Sequence, residues 1–321
     1  MRAFLIDTDV ASDDAVALIM ALRASDVRVV GITTVAGNVV VDQATRNALY
    51  TVELCGSEVP IHKGASKPLN RDHQNATWFH GEDGLGDHGY APSTQKTPQT
   101  PAADAIIEAA LNFPGLVIVT LGPLTNIAVA LKKDPSFAKN VSRCVVMGGA
   151  PCCEGNVTPA AEYNIWVDPE AARIVMQSEL PIELIGWQTS RGGSVLNDRD
   201  IAHIQTFHTP LADFTIECNS RARKAYKIQT GEDGISLPDP VAMSIALDPS
   251  IGTAWSTHYV DIEIESVLTR GMTVVDRLYV ASDERNATVW EELLKKPPHV
   301  KVCWTIDPRR WKAMLYSALQ T

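Results

Sequence analysis

Apolar runs of strand length recur along the chain and alternate with stretches whose apolar residues return every three or four positions. Ala3–Ile6, Val27–Val35, Leu116–Thr120, Arg143–Met147 and Ile182–Ile185 read as strands. Asp13–Leu22, Asp42–Leu54, Ala102–Leu111, Leu124–Leu131 and Pro169–Met176 carry the helical spacing between them. This β-α-β-α order predicts an α/β fold, a single large domain with a mostly parallel, doubly wound central sheet covered on both faces. Further along the pattern changes. Ala202–Gln229 is mainly helical, while His258–Glu265 and Met272–Val280 alternate apolar and polar residues about a Thr-Arg-Gly turn and predict a β-hairpin. The segment from His62 to Thr100 lacks either period and is longer than an ordinary connection; its Trp78, Phe79, His80 and Tyr90 favour a functional loop. No repeat, low-complexity tract or linker divides residues 1–321.

In open parallel sheets ligands bind beyond the carboxyl ends of the strands. Asp7 and Asp9, Gly37 and Asn38, Gly122, and Gly148 and Gly149 all fall at or just after a predicted strand end. The candidate site therefore gathers from distant parts of the sequence.

Composition narrows the partners. With 321 residues, 45% of them hydrophobic, the chain can bury one large core. Lys+Arg is 28 against Asp+Glu 38, and a net charge of −10 argues against a surface built to neutralise a nucleic-acid backbone. No apolar stretch approaches the length of a membrane span, and Asp7 and Asp9 interrupt the opening run too early for a signal peptide, so a cytoplasmic protein is expected. Six scattered cysteines without C-x-x-C spacing suggest neither a disulfide framework nor a zinc site.

The strongest chemical signal is Ile6-Asp7-Thr8-Asp9-Val10-Ala11-Ser12-Asp13-Asp14-Ala15, four carboxylates at a predicted strand-to-helix turn. Asp7 and Asp9, two apart on a strand, point the same way, and Asp13 and Asp14 open the next helix near its positive dipole end. Mutual repulsion raises the pKa of such acids unless a cation joins them. Oxygen ligands alone favour a hard ion, calcium or magnesium, and calcium better tolerates an irregular cage. The competing reading is a helix N-cap with solvated acids.

The chain resembles the nucleoside hydrolase family, whose opening signature D-x-D-x-x-x-D-D is present as Asp7, Asp9, Asp13 and Asp14. The likeness continues through Ile32–Asn38, His80–Gly86, Leu121–Ala128, Met147–Gly149, Gly155-Asn156, Ala161–Asn164, Asp168–Ala172 and Asp239–Ala242, and is weakest from about Gly192 to Gly234. The resemblance implies hydrolysis of the N-glycosidic bond of ribonucleosides. It implies one Ca2+ per chain, ligated by Asp9, Asp14 and Asp239 through carboxylates and by Leu121 through its carbonyl, with Asp7 supporting them. Asp13, Asn38, Asn156, Glu162 and Asn164 match positions that hold ribose hydroxyls, and His80 a position in the base pocket. Relatives of this kind are commonly homodimers or homotetramers, and their substrates are small nucleosides.

In the implied chemistry Asp9 is the general base for water, and acids around the sugar favour its oxocarbenium-like transition state. The residue before the last metal-binding aspartate is a histidine in the inosine-uridine type and a tryptophan in the purine-preferring type; here it is Pro238, which can neither donate a proton nor stack as strongly. His80, Trp78 or Tyr226 is the expected replacement. Arg191, Arg221 and Arg223 are read as surface cations, with admission of a phosphate as the alternative. Two rivals remain. A haloacid-dehalogenase-type phosphatase shares the Asp7-Thr8-Asp9-Val10 opening but lacks its later elements here, and a non-catalytic nucleoside- or ribose-binding protein would keep the fold without the chemistry.

Overall fold

The computed structural model describes residues 1–320. Its strands are β1 (Arg2–Thr8), β2 (Val27–Thr34), β3 (Ile61–Lys63), β4 (Leu116–Thr120), β5 (Val141–Met147), β6 (Ile182–Ile185), β7 (Gly252–His258), β8 (Val260–Ile262), β9 (Thr273–Val275) and β10 (Val300–Ile306). Eight of them form one sheet in the order β3-β2-β1-β4-β5-β6-β10-β7. Every pair is parallel except β7 on β10 at the edge. The alternation that makes β1 a central strand is visible in its side chains, with Phe4 and Ile6 entering one apolar core and Leu5 the other. Val117 and Val119 of β4 join the first, Leu116 and Ile118 the second.

Helices cover both faces, as the βαβ order requires. On one face Ser12–Arg23 packs against Pro238–Leu247 and Pro308–Leu319. The first two are apolar nearly all round and buried along most of their length, which makes them interior helices rather than amphipathic surface ones. On the other face Ala102–Asn112, Thr125–Lys133 and Pro169–Met176 share one apolar core with Phe137.

The five predicted strands and five predicted helices are present with ends shifted by a residue or two. The region from Ala202 to Gln229 resolves into three helices, Asp198–Gln205, Pro210–Cys218 and Ser220–Thr230. The hairpin exists as β8 paired antiparallel with β9, Val260 opposite Val275, shorter than the alternation suggested and separate from the main sheet. The functional loop contains one short helix, Thr77–His80, after β3. β7, β10 and the helices Pro238–Leu247 and Pro308–Leu319 were not anticipated.

Asp168 ties three segments of the second face together. Its fully buried carboxylate accepts from Ala171 N at 3.1 Å, capping the helix Pro169–Met176, and from Thr125 Oγ1 at 2.7 Å and Leu69 N at 2.8 Å. Asp168→Ala removes the cap and strands the buried Thr125 hydroxyl and the half-buried Leu69 N–H, so urea denaturation should show a loss of about 2–4 kcal/mol. Asp168→Asn should recover part of it. A loss below about 0.5 kcal/mol would mean that these bonds contribute nothing net.

Candidate active site

The chain leaves β1 for β2 and β3 on one side and returns to β4 on the other, so the strand order reverses between β1 and β4. That reversal opens a crevice at the carboxyl ends of the two strands. Asp7 lies opposite Thr33 of β2 and Thr120 of β4, and Leu121, just past β4, donates its N–H to Asp7 O at 2.8 Å. Asp9 follows β1, and three residues later the helix Ser12–Arg23 begins. Because the helix Pro238–Leu247 lies along it and starts at the same end, Asp239 arrives beside Asp13 and Asp14. One carboxylate oxygen from each of these three lies within 4.8 Å of the others.

Every acid of the group is buried, and each is held differently. Asp7 accepts from Thr33 Oγ1 at 2.5 Å and Asn126 Nδ2 at 2.8 Å. Asp9 Oδ2 accepts from Asn38 N at 2.5 Å. Asp14 accepts from Thr8 Oγ1 at 2.5 Å and, reaching back across the first turn of its helix, from Ala11 N at 2.8 Å. Asp7 Oδ2, Asp9 Oδ1 and Asp13 Oδ1 are buried without any hydrogen-bond partner. Gly37 and Gly122 leave the room that Asp9 occupies, since a Cβ at Gly37 would stand 2.0 Å from Asp9 Oδ2 and one at Gly122 2.8 Å from Asp9 Oδ1.

Burial dominates the protonation of the group. It pushes Asp7 up to about 7 against the hydrogen bonds from Asn126 and Thr33, and with the charge of Asp14 it pushes Asp13 to about 7. Asp9 and Asp239 are driven well above the carboxylate range by burial and then by their acidic neighbours, and burial raises Asp14 too. Unpartnered buried oxygens, an all-oxygen donor set and mutual repulsion are together what a hard divalent cation relieves. The residues fit such an ion.

A cavity of about 430 Å³, of small-molecule size, lies over the cluster. Asp13, Asn38, Trp78, His80, Leu121, Asn156, Glu162, Asn164, Tyr226 and Asp239 line it, as do Pro238 and Asn219. Asp9 and Asp14 are fully buried and lie outside that lining. Asn164 Nδ2 donates to Leu121 O at 2.8 Å, which orients that carbonyl and leaves Asn164 Oδ1 as the free end of the amide. Asn156 Oδ1 accepts from Tyr163 N at 2.9 Å, leaving its amide nitrogen as a donor. Glu162 is the N-cap of Tyr163–Val167, taking Asn164 N at 2.9 Å, Ile165 N at 3.3 Å and Gly149 N at 2.7 Å. Glu162 and Asn164 thus brace each other, and Asn156 is tied to the same turn through Tyr163.

The remaining residues expected at the site take different positions. His80 lines the cavity; burial lowers its pKa to about 3, and its Nδ1 sits 2.9 Å from Ser12 Oγ and 3.9 Å from Asp13 Oδ1. Trp78 is 58% exposed at the mouth, edge-on to Phe79. Tyr226 is buried and donates its hydroxyl proton to Glu232 at 2.5 Å. Arg191, Arg221 and Arg223 are all engaged with acids: Glu154 and Glu232, Asp87, and Asp198 and Asp233 respectively. Sequence reasoning missed Asn219, which opens the helix Ser220–Thr230 in the region of weakest family likeness; no local pattern marks it out.

Comparison with known proteins agrees with this geometry. The family described as inosine-uridine preferring nucleoside hydrolase matches residues 4–313. A probable uridine nucleosidase of Oryza sativa subsp. japonica is 36% identical over 94% of this chain and 92% of its own length. A pyrimidine-specific ribonucleoside hydrolase of Shewanella woodyi is 37% identical over 90% of this chain and 92% of its own. Among solved structures, a plant nucleoside hydrolase superposes with a TM-score of 0.89 at 32% identity, covering 100% of this chain and 99% of that one. A purine-preferring ribonucleoside hydrolase of Gardnerella vaginalis has the same TM-score, 0.89, at 29% identity, covering 99% of this chain and 98% of that one. A fold matched end to end and a buried aspartate cluster under a cavity place the chain in the inosine-uridine preferring nucleoside hydrolase family, as a hydrolase of N-glycosyl bonds.

Proposed function

We propose that this protein hydrolyses the N-glycosidic bond of ribonucleosides, uridine among them, to free base and ribose, with calcium as its ion and Asp9 as general base. The observation that carries the reading is the convergence of Asp13, Asp14 and Asp239 within 4.8 Å at a nucleoside-sized cavity that Asp13 and Asp239 line; Asp9 is not one of the converging three and joins the proposed ligand set by family resemblance. Asp9, Asp14 and Asp239 would hold the ion through carboxylates, and Leu121 through the carbonyl that Asn164 orients. When bound, calcium supplies charge that lowers the proton affinity of a water and fixes the 2′- and 3′-hydroxyls of the sugar. Uridine is named because relatives from rice and from Shewanella are described as a uridine nucleosidase and a pyrimidine-specific hydrolase.

The chain's own residues then divide the work. Asn38 N–H occupies one oxygen of Asp9, so the unpartnered Oδ1 takes the proton of the attacking water. Asp13, Asn38, Asn156, Glu162 and Asn164 hold the ribose hydroxyls, with Asn156 as donor and Asn164 Oδ1 as acceptor. The anionic floor favours the positive charge that develops on the sugar as the bond to the base breaks. His80 contributes as a neutral, tightly packed hydrogen-bond partner. Trp78, exposed at the mouth, offers an apolar face to the base.

A reducing-sugar assay over uridine, inosine and adenosine tests the reading directly. Ribose should be released, the activity should vanish with a chelator, and added calcium should restore it; binding of nucleosides without any ribose would instead favour a non-catalytic binding protein. Replacing Asp9 by Asn should lower kcat by about 10²–10⁴. Gly37→Ala should lower it comparably without removing any polar group, because its Cβ would displace the Asp9 carboxylate. Full activity in Gly37→Ala would show that the position of Asp9 does not matter.

The metal-free protein should also show an inverted pH dependence. Acids whose folded pKa is raised to about 7 from 3.8 bind protons in the folded state that the unfolded chain has released, so stability falls as pH rises between those values. Calcium should therefore raise Tm more at about pH 8 than at about pH 5, where protons compete with it. An equal increment at both pH values would mean that the ion binds elsewhere.

A further inference from the structure

Gly37 and Asn38 turn the chain just past the end of β2, and the one peptide group they share is engaged at both of its polar ends. Its N–H, which is that of Asn38, donates to Asp9 Oδ2 at 2.5 Å. Its carbonyl, which is that of Gly37, lies 2.6 Å from His73 Nε2. We propose that His73 is a positioning residue for Asp9 and acts through this single peptide group. The imidazole N–H pins and polarises the Gly37 carbonyl, and the peptide passes both effects to the N–H that holds the carboxylate. The inference rests on the reading above in one respect, that Asp9 serves the ion and the water.

Chemistry fixes the direction of the two bonds. A carbonyl oxygen only accepts, so His73 Nε2 carries a proton and donates to Gly37 O, while Asn38 N donates onward to Asp9. Hydrogen bonds in series strengthen one another, because a donor at the carbonyl draws electron density toward oxygen and leaves the N–H at the other end more positive. The acceptor that ends this series is a fully buried carboxylate, the kind of group for which an N–H bond contributes most.

The turn also needs a pin. Position 37 has to be glycine, since a Cβ there would stand 2.0 Å from Asp9 Oδ2, and glycine is the residue least able to fix a peptide plane by its own sterics. A rotation of the Gly37–Asn38 peptide about its flanking bonds would turn the N–H away from Asp9. A bond to the carbonyl from a side chain anchored elsewhere opposes that rotation. The anchor is close by: Ala76 N, three residues after His73, donates to Asn38 O at 2.9 Å, and Tyr163 Oη donates to Gln74 O at 2.8 Å. Gln74, Asn75 and Ala76 line the cavity, whereas His73 does not, so it acts on Asp9 from outside the substrate's space.

The test compares three variants. His73→Gln places an amide nitrogen about as far from the backbone as the imidazole Nε2, His73→Asn is too short to reach the carbonyl, and His73→Phe keeps a ring without its N–H. The readouts are the amide-proton resonance of Asn38, the calcium dissociation constant measured by titration calorimetry without nucleoside, and kcat and KM for uridine. In His73→Phe and His73→Asn the Asn38 resonance should move upfield, calcium should bind about tenfold more weakly and kcat should fall about tenfold with a smaller change in KM; His73→Gln should restore most of each. A residue that merely anchored the loop would lower Tm and leave the resonance and the calcium constant in place. If His73→Phe does not fold, the Gln and Asn variants make the same comparison between them. An unmoved resonance with calcium affinity within about twofold in the short or ring variant, or a Gln variant as impaired as either, overturns the proposal. Absence of ribose release by the unmodified protein removes the hydrolytic reading, and the resonance and the calcium constant still decide the role of His73.

Discussion

The structure is organised around the cost of placing carboxylates where water does not reach. Asp7, Asp9, Asp13, Asp14 and Asp239 are all buried, and burial is the leading reason each resists ionisation. Backbone N–H groups of Asn38 and Ala11, the hydroxyls of Thr8 and Thr33 and the amide of Asn126 offset part of that cost. Two helices, Ser12–Arg23 and Pro238–Leu247, aim their positive ends at the same point. What remains is a surplus of negative charge that a cation or protons must balance. Fold and chemistry meet in this one requirement.

The need for close approach explains features that would otherwise look accidental. Both central helices are apolar nearly all round because they must lie side by side in the interior to bring Asp239 against Asp13 and Asp14. Gly37 and Gly122, each following a strand end, are small because the Asp9 carboxylate fills the space a side chain would take. Pro238 belongs to the same set. At the first turn of its helix a proline loses nothing by lacking an N–H, and its fixed φ suits the start of the helix. The position contributes shape to the cavity and helps place Asp239, while it carries no proton toward the base.

The legibility of the molecule follows the same division. β1, β2, β4, β5 and β6 were readable because strands buried on both faces are apolar runs, and the helices between them keep the 3.6 spacing. The opening aspartates were readable because four acids in eight residues at a strand end have few bland explanations. Pro238–Leu247 escaped detection because a helix buried all round lacks the polar stripe that marks a period, so Asp239 could be linked to the cluster only by family resemblance. β10 escaped because its place beside β6 is decided by tertiary packing a hundred residues away. Glu162, Asn156 and Asn164 were found as motif residues, but their ties to the backbone of Gly149, Tyr163 and Leu121 exist only in three dimensions.

The least legible part is also the part with freedom to vary. The floor of the cavity is made by the first turns of two helices, Asp13 and Asp239 among them, set at the strand ends whose geometry the sheet dictates. One wall is made by Asn219 and the helix Ser220–Thr230, within the stretch of weakest family likeness. In this chain the Ser12 and Thr215 carbonyls orient Asn219, and the Arg191–Glu232 pair orients Tyr226, so hydrogen-bond polarity is set by residues that line no part of the sugar site.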